Sequence, residues 1–521
     1  MKKIFSISLL LLTAFFCSCK DATLGESLKG VYLANIPDGE FLLVAPEKGD
    51  AYCVVCRNSD IDSIRVFLDE DIIKDVSGNT LAELRLENDS LVADIVTVNG
   101  DKITSAFTRR DLVAADKPIP TKHPIRYLEP ITEDTAQVDR DVFYSRDAGF
   151  YSSNSVGDIP VSDYDTYIDS LRSKYQLVTK DIDLFMDVYY LGDDTVSKRP
   201  LVILLHGGAF LFGDKGGSFM RHLAQHYATR GFVVASVNYR LGCSFVGLHT
   251  IRRTIYRAVQ DAGKAAHFLI DHAEDYGIDT NAIFLVGHSA GAITALMASI
   301  LTDEDNYEDI DQFYLKELGD LPAPVKLLGT VGLWGGITEL DYINRADDPD
   351  FLLMHGTDDD IVPFREGVPF FHNPLLVDLL LGEGDRLRGS GVIKEEMDRR
   401  GLPCELYRFE GMNHDPHLDE EGKFNDNIDI VDSITTSFLY RKLDKLCSPI
   451  GVSQDINFCK HYRISSDAPI RQISWNVRGG LIFDSVSDNE IECYMFTNAP
   501  SSEVTATVLL ENGHTVTKVA R

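Results

Sequence analysis

Ile283-Phe-Leu-Val286-Gly287-His288-Ser289-Ala290-Gly291, running on through Ala292 to Ile300, sets an apolar run, a G-x-S-x-G pentapeptide and a helix-like stretch in direct succession. An apolar run of four bounded by glycine reads as a buried strand, and the run after it reads as a helix. Between them two glycines permit a turn tight enough to lift the Ser289 hydroxyl out of the sheet edge in a strained backbone conformation. A short motif by itself is weak, and a Gly-rich turn with an idle serine would look the same. The context on either side decides between them.

Outward from this stretch, apolar segments of four to eight residues alternate with helical patterns. Strands are expected at Leu184–Leu191, Leu201–Leu205, Val233–Val237, Ile283–Val286, Val325–Val331, Phe351–Met354 and Cys404–Phe409. Ile255, Val259, Ala262, Ala266 and Leu269 step by four, three, four and three, so one helical face is apolar and packs on a sheet. The fold class is therefore α/β, a doubly wound and mostly parallel sheet of roughly 300 residues flanked by small β-rich regions. An amphipathic helix around Ile428–Leu446 closes it.

Chemistry-bearing residues fall at the ends of those strands. Leu201–Leu205 runs into His206-Gly207-Gly208-Ala209-Phe210, where a glycine pair bares backbone N–H groups. Gly208, Ala209 and Ala290 are the expected oxyanion donors. Phe351–Met354 ends in His355-Gly-Thr-Asp358-Asp359-Asp360, an exit loop rich in acids, which could equally be a solvated loop. Leu406–Phe409 leads to His414, placed to act as a general base towards Ser289. The order Ser, Asp, His suits this architecture. His417 lies farther along the same loop, a weaker base candidate, and His288 inside the elbow is structural or substrate-adjacent.

Residues from about 184 to 445 resemble an α/β-hydrolase of the esterase/lipase group: His206-Gly-Gly as oxyanion motif, Gly287-His-Ser-Ala-Gly291 as elbow, Val237-Asn-Tyr-Arg240-Leu after its strand. In the family pattern H-G-x-x-D-x-x-V-P the acid is the fifth position, here Asp359, with Asp358 and Asp360 flanking it. The resemblance implies a serine carboxylic-ester hydrolase working through Ser289, His414 and Asp359, with neither metal nor organic cofactor. Relatives often carry glycine or a large aromatic where this chain has Ala209-Phe210, which bears on pocket shape. Esters of carbohydrate with short acyl or aromatic acids are the substrates the resemblance suggests. A peptidase of the same fold and a non-catalytic surface binding protein are the alternatives. The first usually carries a β-propeller in front, for which the N-terminal β region is too short; the second has no need of all three residues.

The flanks divide the chain of 521 residues into a targeting segment 1–19, a small β domain 20–115, a Pro-rich linker 116–139, the catalytic domain 140–446 and a β-rich C-terminal domain 447–521. Met1-Lys-Lys3 and the apolar run Ile4 to Phe16 read as an export signal, too short to span a bilayer. The segment Phe16-Cys17-Ser18-Cys19 resembles a bacterial lipoprotein box with Cys19 as the lipidated residue. An exported, outer-membrane or cell-surface lipoprotein is the expectation, with plain secretion the alternative and membrane attachment through lipid only. Cys447 and Cys459 flank a short segment and could form a disulfide in an oxidising compartment. Cys53-Val-Val-Cys56 has metal-like spacing but lies in a β-like run, where positions three apart face opposite ways. Trp334 after the Val325–Val331 strand is either pocket wall or core. Insertions at Leu301–Pro324 and Pro363–Gly401 leave the strand ends that bear the site and are expected to cover it. With 50 Lys+Arg against 81 Asp+Glu the formal charge is −31, which repels nucleic acid and leaves a neutral ester an easier substrate than a polyanion.

Overall fold

The computed structural model describes residues 30–36, 39–45, 52–57, 60–69, 71–75, 77–87, 90–96, 100–110, 124–153, 179–242, 250–302, 319–343, 348–370, 386–454, 459–478, 480–487, 489–495 and 503–520. The targeting segment with Cys17 and Cys19, and the middles of both expected covering insertions, lie outside them.

The central sheet has eight strands: β1 (Gln137–Gly149), β2 (Lys180–Tyr190), β3 (Arg199–Leu205), β4 (Val233–Val237), β5 (Ile278–His288), β6 (Gly329–Leu333), β7 (Asp350–Gly356) and β8 (Cys404–Phe409). Their order across the sheet is β8-β7-β6-β5-β3-β4-β2-β1. From β4 to β8 every pairing is parallel, whereas β2 pairs antiparallel with both β4 and β1. The helices are α1 (Ser218–Ala228), α2 (Thr250–Asp271), α3 (Ala273–Tyr276), α4 (Ala290–Ile300), α5 (Ser390–Arg400) and α6 (Asn427–Lys442).

Strand periodicity sorts the core into two layers. On β3, Leu201, Ile203 and Leu205 face a cluster shared with Ile255 of α2, Leu296 of α4 and Ile393 of α5. Val202 and Leu204 face the other way, towards Leu223 of α1 and Phe438 of α6. A strand covered on both faces needs no polar face, which is why β3 reads as an unbroken apolar run.

Three expectations change. The linker expected over 116–139 is not a free connector from residue 124 onward: Tyr127 is fully buried against Phe232, and its hydroxyl donates to the Asn512 carbonyl. Gln137 then begins β1, an edge strand whose exposed, charged face hid it from a search for apolar runs. The C-terminal strands also share the core of the α/β domain, since Tyr462, Ile464, Trp475 and Val504 join the cluster containing Phe438. Cys447 is a free thiol whose sulfur lies 3.5 Å from Ser466 Oγ, so the suggested bridge to Cys459 is absent.

The N-terminal strands, from Gly30–Ile36 to Lys102–Arg110, form a closed eight-stranded antiparallel barrel, the first pairing with the last. Cys53 is buried in its core with Leu43 and Phe107, and burial pushes its thiol pKa well up. Among the described residues no helix is long and apolar enough to cross a membrane.

The Val237-Asn-Tyr-Arg240 stretch after β4 ties this sheet end together. Tyr239 Oη donates to the His206 carbonyl at 2.6 Å, and Asn238 Oδ1 accepts from the Lys215 amide at 2.6 Å. Arg240 meets Asp261 of α2 at 2.7 Å, with side chains only 4% and 0% exposed. Replacing Arg240 by Met leaves the Asp261 carboxylate buried without its partner and should destabilise the fold by about 3–5 kcal/mol in urea unfolding. A loss under about 1 kcal/mol would mean that Asp261 is paired elsewhere.

Candidate active site

Ser289 occupies the turn between β5 and α4 with φ 54° and ψ −118°, a conformation a side-chain-bearing residue adopts only under constraint. Two close approaches supply it. A Cβ on Gly287 would stand 2.1 Å from the Gly291 carbonyl oxygen, and one on Gly291 would stand 2.0 Å from that of Leu205. Only glycine fits either position.

His414, on the loop after β8, reaches Ser289 Oγ through Nε2 at 2.9 Å and Asp359 Oδ2 through Nδ1 at 2.7 Å. Asp359, after β7, accepts from the backbone amides of Ile361 at 2.9 Å and Val362 at 2.8 Å through its other oxygen. Its first oxygen lies 3.1 Å from His355 Nε2, which gives a physical role to the histidine that opens the H-G-x-x-D stretch. All three members of the set are buried, at 4% or 7% exposure, while Asp358 and Asp360 are exposed. Burial thus separates the three adjacent acids in the same way as the spacing of the H-G-x-x-D stretch.

The glycine loop after β3 lies beside Ser289: a Cβ on Gly207 would be 3.1 Å from Ser289 Cβ. Gly208 has φ 113°, and Ala209 and Phe210 hold φ of 50° and 61°, strained for residues bearing side chains. The Gly208 carbonyl accepts from the amides of Leu211 at 2.8 Å and Phe212 at 3.0 Å. Because that peptide is trans, the Ala209 N–H points opposite to the carbonyl. The Ala290 N–H opens α4, where no carbonyl of a preceding helical turn exists to take it. Strained loop and helix start thus flank the same serine.

His417 does not join this set. It lies with its ring 5.0 Å from Trp334 and 4.1 Å from Phe219, and burial lowers its pKa to about 3. Trp334 is fully buried, so it is core rather than pocket wall.

A second pair, of which only Asp415 lay outside the residues singled out in the sequence, stands next to the first. His288 Nε2 bonds to Asp415 Oδ1 at 2.6 Å, and Asp415 is buried with φ 53°. Its one mark in the sequence is adjacency to His414. Burial by itself would lower the pKa of His414, but the carboxylates of Asp359 and Asp415 outweigh it and push it up to about 9. Burial would raise Asp359, yet the charges and hydrogen bonds of His414 and His355 hold it well below the usual carboxylate range.

The BD-FAE family model matches residues 186–338. A probable isoprenylcysteine alpha-carbonyl methylesterase of Oryza sativa subsp. japonica is 33% identical over 255 residues, 43% of this chain and 54% of that protein. A probable carboxylic ester hydrolase, LipM, of Mycobacterium tuberculosis is 24% identical over 213 residues, 36% of this chain and 47% of that protein. A shorter match, 34% identical over 103 residues, covers 20% of this chain and 22% of a second probable methylesterase of that name from Oryza sativa subsp. japonica. The chain therefore spans about a fifth to about half the length of these relatives. Among solved structures, Thermogutta terrifontis esterase 2 phosphonylated by cyclosarin aligns with 50% of this chain and 89% of its own, at 20% identity and TM-score 0.35.

The electrostatics of the two pairs predict a titration. The His414 ring, followed by NMR on carbon-13-labelled histidine, should titrate above the ordinary 6.5. Asn tolerates the left-handed backbone at position 415, so Asp415→Asn should keep the loop while moving the titration down by about 1 pH unit. An unchanged titration would show that Asp415 does not act on His414.

Proposed function

We propose that this protein is a serine carboxylic-ester hydrolase. The observation that carries the reading is the unbroken hydrogen-bonded chain Ser289–His414–Asp359 with its serine in a strained strand-to-helix turn. The relatives named above are described as probable ester hydrolases, which supports the same reading.

In the proposed mechanism His414 takes the Ser289 proton as Oγ attacks the ester carbonyl. Asp359, fixed by the Ile361 and Val362 amides, holds the imidazole with Nδ1–H directed at itself and stabilises the imidazolium. The amides of Gly208, Ala209 and Ala290 stabilise the oxyanion; one such donor is worth about 2.7–4 kcal/mol. Protonated His414 gives its proton to the leaving alkoxide, an acyl-enzyme remains, and water activated by the same ring releases the acid. Every step uses this chain's own groups.

As substrates we propose esters of carbohydrate with short acyl or aromatic acids. Support comes from the histidine–glycine–glycine motif joined to a lipoprotein-like start, and from the −31 charge that favours a neutral ester over a polyanion. We also propose export with lipid attachment at Cys19.

Ser289→Ala should reduce p-nitrophenyl acetate turnover by roughly 10⁴–10⁶-fold with unchanged circular dichroism, and Asp359→Asn by roughly 10⁴-fold. Since the base works as neutral imidazole, kcat/KM should rise with pH through the raised His414 pKa and level off above it. Acetylated and feruloylated oligosaccharides, a prenylcysteine methyl ester, a triglyceride and an aminoacyl amide, offered side by side, then discriminate the substrate class. Turnover of the amide or triglyceride alone would overturn the carbohydrate proposal, and inertness towards all of them would leave the binding-protein reading.

A further inference from the structure

Helices α1 and α6 meet on the sheet face away from α4, and their contact contains a group of side chains that the ester chemistry does not use. His222 and His226 are one helical turn apart on α1 and so share a face. Asp432 comes from α6, 210 residues away in sequence. His222 Nε2 lies 2.8 Å and His226 Nδ1 3.1 Å from the same oxygen, Asp432 Oδ2. The other oxygen, Oδ1, is buried and has no hydrogen-bond partner. Desolvating a carboxylate oxygen without a partner is unfavourable, so the crowding of two imidazoles on one oxygen wants a reason.

We propose that His222, His226 and Asp432 form a binding site for a divalent transition-metal ion of the zinc type, which clamps α1 to α6. The three donor atoms lie within 4.8 Å of one another. Zinc bonds of about 2.0–2.2 Å to N and O place tetrahedral ligand atoms about 3.3 Å apart. Widening the present contacts by a few tenths of an ångström therefore admits the ion and gives Asp432 a stronger partner than an imidazole N–H.

Thr436 supplies the support behind the ligand. His226 Nε2 lies 2.8 Å from Thr436 Oγ1, and when that nitrogen donates its proton there, Nδ1 presents a lone pair to Oδ2. Lone pair against carboxylate is repulsive unless a cation stands between, and a hydrogen-bonded second ring nitrogen is the usual backing of a metal-bound histidine. The His222 side chain is 30% exposed, which leaves a route and a fourth position for water. Two imidazoles and one carboxylate suit zinc, copper, nickel or cobalt and not magnesium or calcium. The Arg230 guanidinium, bonded to the His226 carbonyl at 2.7 Å, is an opposing charge beside the cluster.

The clamp would be structural. α6 follows directly the loop that carries His414, and Asn427 at its start holds the Pro416 carbonyl at 2.7 Å. Holding α6 to α1 therefore steadies one end of that loop without touching the reacting groups.

The test uses the untagged full-length chain, stripped with a chelator and titrated with zinc against a chromophoric competitor. One zinc per chain should bind, and excess zinc should raise Tm by about 3–8 °C, whereas magnesium should not. His222→Gln alters a partly exposed side chain; it should keep the circular dichroism and esterase rate, lower zinc affinity by more than roughly 100-fold and abolish the Tm rise, a first-ligand loss exceeding what outer-shell partners cost. Absence of a zinc-dependent Tm rise in the wild-type chain, an equal rise with magnesium, or equal zinc affinity in His222→Gln would each overturn the proposal. None of these readouts depends on whether the chain hydrolyses esters.

Discussion

Gly291 and the Leu205 carbonyl approach so closely that no Cβ fits between them, and much of the site rests on that contact. It brings the end of β3 against the start of α4, so the glycine loop after Leu205 and the serine before Ala290 are neighbours by backbone packing rather than by side-chain contact. The parallel register, with Leu205 opposite Gly287 and Gly287 opposite Gly332, carries the same alignment across to β6. The Ser289 amide then bonds to the Leu333 carbonyl at 2.9 Å, which steadies the strained turn from the other side.

Charge is managed inside this frame by pairing. Asp359 and Asp415 each face a histidine, Arg240 faces Asp261, and Asp432 faces two imidazoles. A buried carboxylate without a partner is very costly, so each of these groups fixes the position of the element that carries its partner. Asp415 and Asp359 act on His414 together, and its basicity is a property of these three side chains rather than of one pair.

Much of the site was legible from residue order. Gly287-His-Ser-Ala-Gly291, the His206-Gly-Gly loop and the acid and histidine after the next strands each sit where a strand ends, and strand ends are visible as apolar runs. What periodicity could not resolve was the choice within a loop. Asp358, Asp359 and Asp360 are alike as residues, and only Asp359 turns inward to His355 and His414. His414 and His417 differ only by which one the loop aims at Ser289. Asp415 left no signal beyond its neighbour, and β1 was hidden because an edge strand presents charge to water.

By itself the sequence determined the kind of sheet, the candidate nucleophile Ser289 and the order of the candidate triad residues, because apolar runs and glycines report local backbone demands directly. The tertiary structure decided that Asp359 turns inward while Asp358 and Asp360 stay exposed, that residues 124–139 and the C-terminal strands share the core of the α/β domain, and that His222, His226 and Asp432 converge. Those are contacts between residues up to hundreds of positions apart, such as Tyr127 with Asn512. Local pattern carries no information on them, since a half-polar strand or a helical His–x–x–x–His face looks the same until the element it meets is known.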